Sequence, residues 1–232
     1  MLRHLFILFF SILFAADTTV ANPFCACCAE PGTYSIWTGK PSEYQLEILK
    51  DIRFDKQASL FMTEAGFDNI KGLSAIEKDF DDTSWVATPG DFDFLGNLAG
   101  KTWTLTFKSP NGKTGVLRLP MPSQMLVFNV DIHDRKPGGN GPSLYKEYRF
   151  KGTVGNGSGF LADSIIRPTS YFLVFQGRGN GCDSVEDFNN WNLEITGRKA
   201  RYQFYGNLPS GGGNIAGEPK AKSVSLSRLT VQ

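Results

Sequence analysis

Four cysteines carry the most distinctive chemistry in this chain. Cys25, Cys27 and Cys28 fall within one Cys-Ala-Cys-Cys stretch, and Cys182 lies far from them. An even number of thiols in an oxidising compartment reads first as disulfides. A Cys27–Cys28 bond needs a strained vicinal ring, and a Cys25–Cys27 bond closes a very short loop. The expectation is that Cys182 pairs with Cys25, Cys27 or Cys28. Closing a loop of about 155 residues stabilises by roughly 4–5 kcal/mol on the chain-entropy model. The rival reading is a thiolate metal site, in which Cys25, Cys27 and Cys28 clasp Cu(I) or, with Cys182, Zn²⁺. The spacing is not that of common zinc sites, and no second Cys-x-x-Cys exists. A redox role is the remaining reading.

Acid–base chemistry has one candidate constellation. His133 is the one histidine beyond the first four residues, in the stretch Asn129-Val130-Asp131-Ile132-His133-Asp134. On a strand, Asn129, Asp131 and His133 share a face. Asp131 or Asp134 beside the imidazole would orient it as a general base for a hydrolase. No nucleophile is tied to it by sequence, and the ordinary reading is a solvated strand end.

Three further motifs are weaker. Gln176-Gly177-Arg178-Gly179-Asn180-Gly181-Cys182 does not complete Gly-x-Gly-x-x-Gly and has no βαβ frame, so it reads as a glycine-rich turn presenting Cys182. Asp79-Phe80-Asp81-Asp82 lacks the glycine and terminal Glu of a calcium loop. Asn156-Gly157-Ser158 fits the glycosylation acceptor pattern.

The start of the chain sets the compartment. Met1-Leu2-Arg3-His4 is short and basic, an apolar run follows from Leu5 to Ala16, and Thr19 and Ala21 are small. This is the pattern of a cleavable secretory signal over 1–21. The run is too short for a spanning helix, which needs about 20 apolar residues. The expectation is an extracytoplasmic protein, periplasmic or secreted, with no membrane-spanning segment after cleavage. Of 232 residues, 211 remain, enough for one domain with a real core. Arg3 and Asp17 cancel, so the net charge stays +1. Lys and Arg are scattered, the nearest to a cluster being Arg198-Lys199-Ala200-Arg201, so bulk charge recruits no nucleic acid.

The elements that position these residues read as mainly β. Gly and Pro punctuate the chain between short aromatic and β-branched runs. Lys101–Lys108 alternates Trp103, Leu105 and Phe107 with threonines. Asn111-Gly112 then marks a hairpin to Val116–Leu119. Met125–His133 pairs with Leu144–Val154. Further strands are expected at Gly159–Ile166, Tyr171–Gln176, Trp191–Ile195, Ala200–Tyr205 and Val224–Val231. Tyr44–Phe54 is ambiguous, with the Gln45–Ile48 alternation tilting it to strand, and Ser59–Thr63 is ambiguous as well. Short helices are expected at Ile70–Phe80 and Ser184–Trp191, the second capped by Ser184 with Asp187 three residues on. The organisation is a signal over 1–21, a cysteine-containing arm over 22–43 and a single mainly-β domain over 44–232. That domain is an antiparallel barrel or sandwich, with a barrel-like meander favoured because consecutive strands pair as neighbours. The Gly-x-Trp signature of lipocalin barrels is absent at all four tryptophans.

The functional expectation is a non-catalytic exported protein without a cofactor, holding a small apolar or amphipathic ligand in a barrel. The alternatives are a cell-surface structural or interaction protein, a metal-binding protein acting through the cysteine arm, and a hydrolase built on His133.

The cysteine and signal readings are checked together. Peptide mapping of the secreted protein without reduction should give a mature start at Asn22 and Cys182 bonded to Cys25, Cys27 or Cys28. Cys182→Ser should cost about 2–4 kcal/mol. A free Cys182 thiol, or one metal ion held by all four sulfurs, defeats the disulfide reading.

Overall fold

The computed structural model describes residues 32–62, 92–131, 144–179 and 183–209. Among these residues eleven strands form one antiparallel sheet, curled into a half-barrel. They are β1 Tyr34–Gly39, β2 Gln57–Met62, β3 Phe92–Asn97, β4 Thr102–Lys108, β5 Thr114–Pro120 and β6 Met125–Asp131. They continue as β7 Leu144–Thr153, β8 Asn156–Gly159, β9 Thr169–Gly179, β10 Phe188–Gly197 and β11 Ala200–Asn207. The spatial order is β1-β6-β7-β9-β10-β11-β2-β3-β4-β5-β8. Most neighbours are consecutive in sequence, as a meander requires. The two ends of this order are also linked along the chain, since β5 leads into β6 and β7 into β8. β5 pairs with β8 and β6 with β7, so one long bent hairpin serves both ends of the sheet.

The strands form where period-two alternation is strongest. Trp103, Leu105 and Phe107 of β4 are fully buried. The turn after β4 runs through Asn111-Gly112, with the Gly112 N–H donating to the Ser109 carbonyl at 2.8 Å. Gly112 takes φ +79°, which the missing Cβ makes cheap. β10 and β11 pair without a break from Asn190↔Asn207 to Gly197↔Ala200. Arg198 and Lys199 sit exposed between them.

The concave side is filled by aromatic rings. Phe107 stacks on Phe204 at 3.9 Å between centroids, and Phe94 on Trp191 at 4.7 Å. Trp103 meets Phe150 edge-on at 5.0 Å. Such pairs add roughly 0.5–1.5 kcal/mol beyond the area they bury. The described part of the interior is thus packed with side chains.

Several expectations are corrected. Residues 44–54 are not a strand: Glu43–Asp51 is helix α1. Ser42 caps it, its Oγ accepting the Gln45 N–H at 3.2 Å while Gln45 Oε1 accepts the Ser42 N–H at 2.9 Å. That capping box and the helical spacing of buried Ile48, Leu49 and Ile52 outweigh the four-residue alternation that suggested a strand. Gly159–Ile166 is not a strand either. The strand is the earlier β8, and Ala162–Ser164 is a 3-10 turn. The second expected helix shrinks to a 3-10 turn at Val185–Asp187, capped by Ser184 as expected, because Phe188 already begins β10. Residues 34–39, assigned by sequence to the arm, form β1 of the sheet. The expected helix at Ile70–Phe80 and strand at Val224–Val231 lie outside the described residues. No helix among the described residues is long and apolar enough to cross a membrane.

Phe204 sits at the centre of this packing, touching Phe92, Phe107 and Tyr202. Phe204→Ala should destabilise the fold by about 3–5 kcal/mol in equilibrium urea unfolding. A cost below about 1 kcal/mol would contradict a filled interior.

Candidate functional site

The inward face of β7 reads Leu144, Lys146, Tyr148, Phe150, and all four are buried. A lysine in that row is the exception to the apolar filling. It stands between Asn129 of β6 and Gly177 of β9 in the two ladders. An unpaired buried ammonium would cost several kcal/mol. The segment Asp183–Asp187 folds over it with two carboxylates. Lys146 Nζ donates to Asp187 Oδ2 at 2.7 Å and lies 3.5 Å from Asp183 Oδ1. The Tyr148 hydroxyl donates to Asp183 Oδ2 at 2.7 Å, and the Tyr44 hydroxyl of α1 donates to the Asp183 carbonyl.

The covering segment is held by its own local chemistry. The Ser184 N–H donates to Asp187 Oδ2 at 3.2 Å, and Ser184 Oγ accepts the Glu186 N–H. Close approach to β9 requires glycine. A Cβ on Gly177 would fall 1.8 Å from the Asp187 carbonyl oxygen, and one on Gly179 would fall 2.1 Å from Asp187 Cγ. This corrects the glycine-rich turn reading. Gly177 and Gly179 are the last residues of β9, bare so that Asp187 can lie against them. Asn180, Gly181 and Cys182 lie outside the described residues.

Burial holds the Tyr148 hydroxyl well above the ordinary tyrosine range, with the charge and hydrogen bond of Asp183 pushing the same way. The cluster therefore pairs one amine with two carboxylates and a hydroxyl that stays protonated.

Of the residues the sequence singled out, Asp131 is placed close by. It faces inward at the end of β6, opposite Leu144, and is 2% exposed. Its N–H donates to the Thr33 carbonyl, and its carbonyl accepts the Gly32 N–H, both at 3.0 Å. The expected solvated strand end is thus corrected at Asp131: the strand turns its polar face inward there. His133 and Asp134 lie outside the described residues, as do Cys25, Cys27, Cys28, Cys182 and Asp79–Asp82. Asn156 is exposed at the start of β8, where its side chain is reachable. Sequence reasoning missed Lys146, Asp183 and Asp187. The signal was there, since Lys146 interrupts an otherwise apolar inward row.

A second feature lies on the outer face at the sheet edge. β1 is terminal in the strand order, and its other edge meets no strand among the described residues. Tyr34 and Ile36 point outward, 66% and 59% exposed. In register beside them stand Val130 and Phe128 of β6, then Tyr145 and Glu147 of β7. Glu147 accepts from the Tyr145 hydroxyl and from Arg149, whose guanidinium lies 5.1 Å above the Phe128 ring. Further round the outer face, Lys151, Ser170, Phe172, Glu194 and Thr196 line a groove of about 360 Å³.

No protein-family model, curated protein or solved structure matches the chain.

The buried tyrosines set an alkaline limit on the fold. Unfolded tyrosines ionise near pH 10. Burial raises Tyr145, Tyr148, Tyr171 and Tyr202 in the folded state, Tyr145 with help from its hydrogen bond to Glu147. The folded chain keeps protons that the unfolded chain releases. Stability is therefore full below about pH 10 and falls as pH rises above it. A spectrophotometric titration should show these phenols ionising in one step with loss of near-UV circular dichroism. Ionisation of all four with the fold intact would contradict their burial.

Proposed function

We propose that this is an exported, non-catalytic protein that works by binding another protein through the outer face of β1 and β6. The observation that carries the reading is the composition of the edge. Tyr34-Ser35-Ile36-Trp37-Thr38-Gly39 has no charge and no proline. Natural edge strands are ordinarily blunted by such residues, or covered. Here two large apolar side chains stand exposed on it, next to a ring pair, Tyr34 and Phe128, 6.4 Å apart. Apolar area gathered beside an edge that no strand among the described residues pairs suits strand addition by a partner, with main-chain hydrogen bonds giving affinity and the alternate side chains giving specificity. The aromatic filling of the interior favours this reading over a ligand-holding lumen.

Export supports a partner outside the cytoplasm, and it rests on the basic, apolar and small-residue pattern of the first 21 residues. In that compartment the cysteines serve as disulfides. A second reading, a small amphipathic ligand, is favoured by the outer groove, where Lys151 and Glu194 flank Phe172 in register on β7, β9 and β10.

A photo-crosslinking residue at position 36 should form a covalent adduct with another polypeptide in the host's extracytoplasmic fraction, and one at position 194 should not. Ile36→Lys should weaken that complex about thirtyfold, near 2 kcal/mol, without changing the circular dichroism. An adduct at position 194 alone moves the site to the groove. Adducts at neither position defeat the proposal.

A further inference from the structure

The cluster around Lys146 contains more than a salt bridge needs. One carboxylate would neutralise the amine, and Asp187 already does so at 2.7 Å. A second, Asp183, stands 3.5 Å from the same nitrogen. Its far oxygen is fixed by the Tyr148 hydroxyl, and its backbone carbonyl by Tyr44. Asp187 is fixed as well, by the Ser184 N–H on Oδ2 and by its seat over Gly179. Lys146 is 1% exposed. The Phe188 ring lies against Tyr148 at 4.6 Å, closing the apolar side.

We propose that Lys146 and Asp187 condense into an intramolecular amide, with Asp183 as the proton carrier. The ammonium first passes one proton to the Asp187 carboxylate, leaving a neutral amine facing a neutral carboxyl group. The Nζ lone pair attacks Asp187 Cγ, a C–N bond forms, and the carbonyl π electrons move onto oxygen. The Ser184 N–H donates to Oδ2, the oxygen nearest Nζ, which takes the first proton and is held in place as the hydroxyl that will leave. Asp183 takes the second proton from Nζ and delivers it to the departing hydroxyl. The C–O bond breaks and one water leaves. Asp183 ends as it began, and no oxidant, reductant or cofactor takes part.

Two physical effects favour the product. Reacting groups held in contact by a rigid strand and a capped turn gain a large effective concentration. The reaction also replaces a buried ion pair, whose desolvation offsets much of its Coulomb attraction, by a neutral amide. Asp183, the charge that remains, keeps its hydrogen bond from Tyr148. The bond ties β7 to the entrance of β10 across 41 positions of sequence.

The test is the intact mass of the full chain, purified folded and fully reduced. The expected mass lies below the sequence value for the observed termini by one water, about 18 Da. Protease digestion should yield one branched peptide joining residues 146 and 187. Lys146→Arg and Asp187→Ala should restore the full mass. Asp183→Ala, which keeps both reacting groups, should slow bond formation at least about a hundredfold, the usual worth of a positioned acid–base group. The wild-type mass decides without any variant: a folded chain at full sequence mass overturns the proposal. A loss of about 17 Da, ammonia, would instead place the bond on an amide such as that of Asn129, which faces Lys146 across the ladder, and would overturn the assignment to Asp187.

Discussion

A curled antiparallel sheet has to fill its concave side, and everything else in this fold answers to that demand. Alternating strands supply one inward side chain per pair of residues, so large rings are the economical filling. Phe94, Phe107, Phe204 and Trp191 are linked ring to ring, and Trp103 meets Phe150 in the same core. Their contacts hold strands from both ends of the chain, since β2 pairs with β11 and with β3. Helix α1 adds Ile48, Leu49 and Ile52 to the same core. Two indole nitrogens, of Trp103 and Trp191, are buried without a hydrogen-bond partner among the described residues. Leaving an N–H unpaired costs about 1–3 kcal/mol, which the surrounding ring packing has to outweigh.

Lys146 is a charged exception to the apolar filling. It enters the interior opposite Gly177, and a capped turn brings two carboxylates down onto it. Each part depends on the next. Without Gly177 and Gly179 the turn could not approach β9, and without Ser184 its first N–H groups would go unsatisfied. Asp183 and Asp187 offset the charge of an amine held against an aromatic core. The fold spends close packing, two glycines and a cap on this one polar contact.

The outer face is organised by the opposite rule. Over β7, β9 and β10 it carries Arg149, Lys151, Gln176 and Glu194, an ordinary solvated surface. At β1 it turns apolar, and there the hydrogen-bonding edge is also open among the described residues. The Glu147–Arg149 pair beside Phe128 ends the patch on one side. The packed interior and the apolar edge thus occupy opposite faces of the same strands, with Trp37 of β1 turned toward the core and Tyr34 and Ile36 turned away from it.

Local periodicity made most strands legible. β4, β5, β6, β7, β9, β10 and β11 lie where alternation and turn residues put them, because one buried face imposes a period of two that no other arrangement satisfies. The hairpin at Asn111-Gly112 and the Ser184 cap were legible for the same local reason. α1 was not, because four alternating residues mimic a strand and only the packing of Ile48, Leu49 and Ile52 shows which period wins. The candidate site was legible only as an oddity, a lysine in an apolar row. Its carboxylates come from residues about 40 positions later, and nothing in the sequence says that a turn will fold back over β7. The glycines of 177 and 179 looked like a loop for the same reason: their meaning lies in what approaches them. Composition and alternation thus determined the β class and the inward faces, which depend on neighbours in sequence. Which residues meet, and whether a polar strand face ends in water or against a partner, was decided by the curl of the sheet, which brings distant strands to one place.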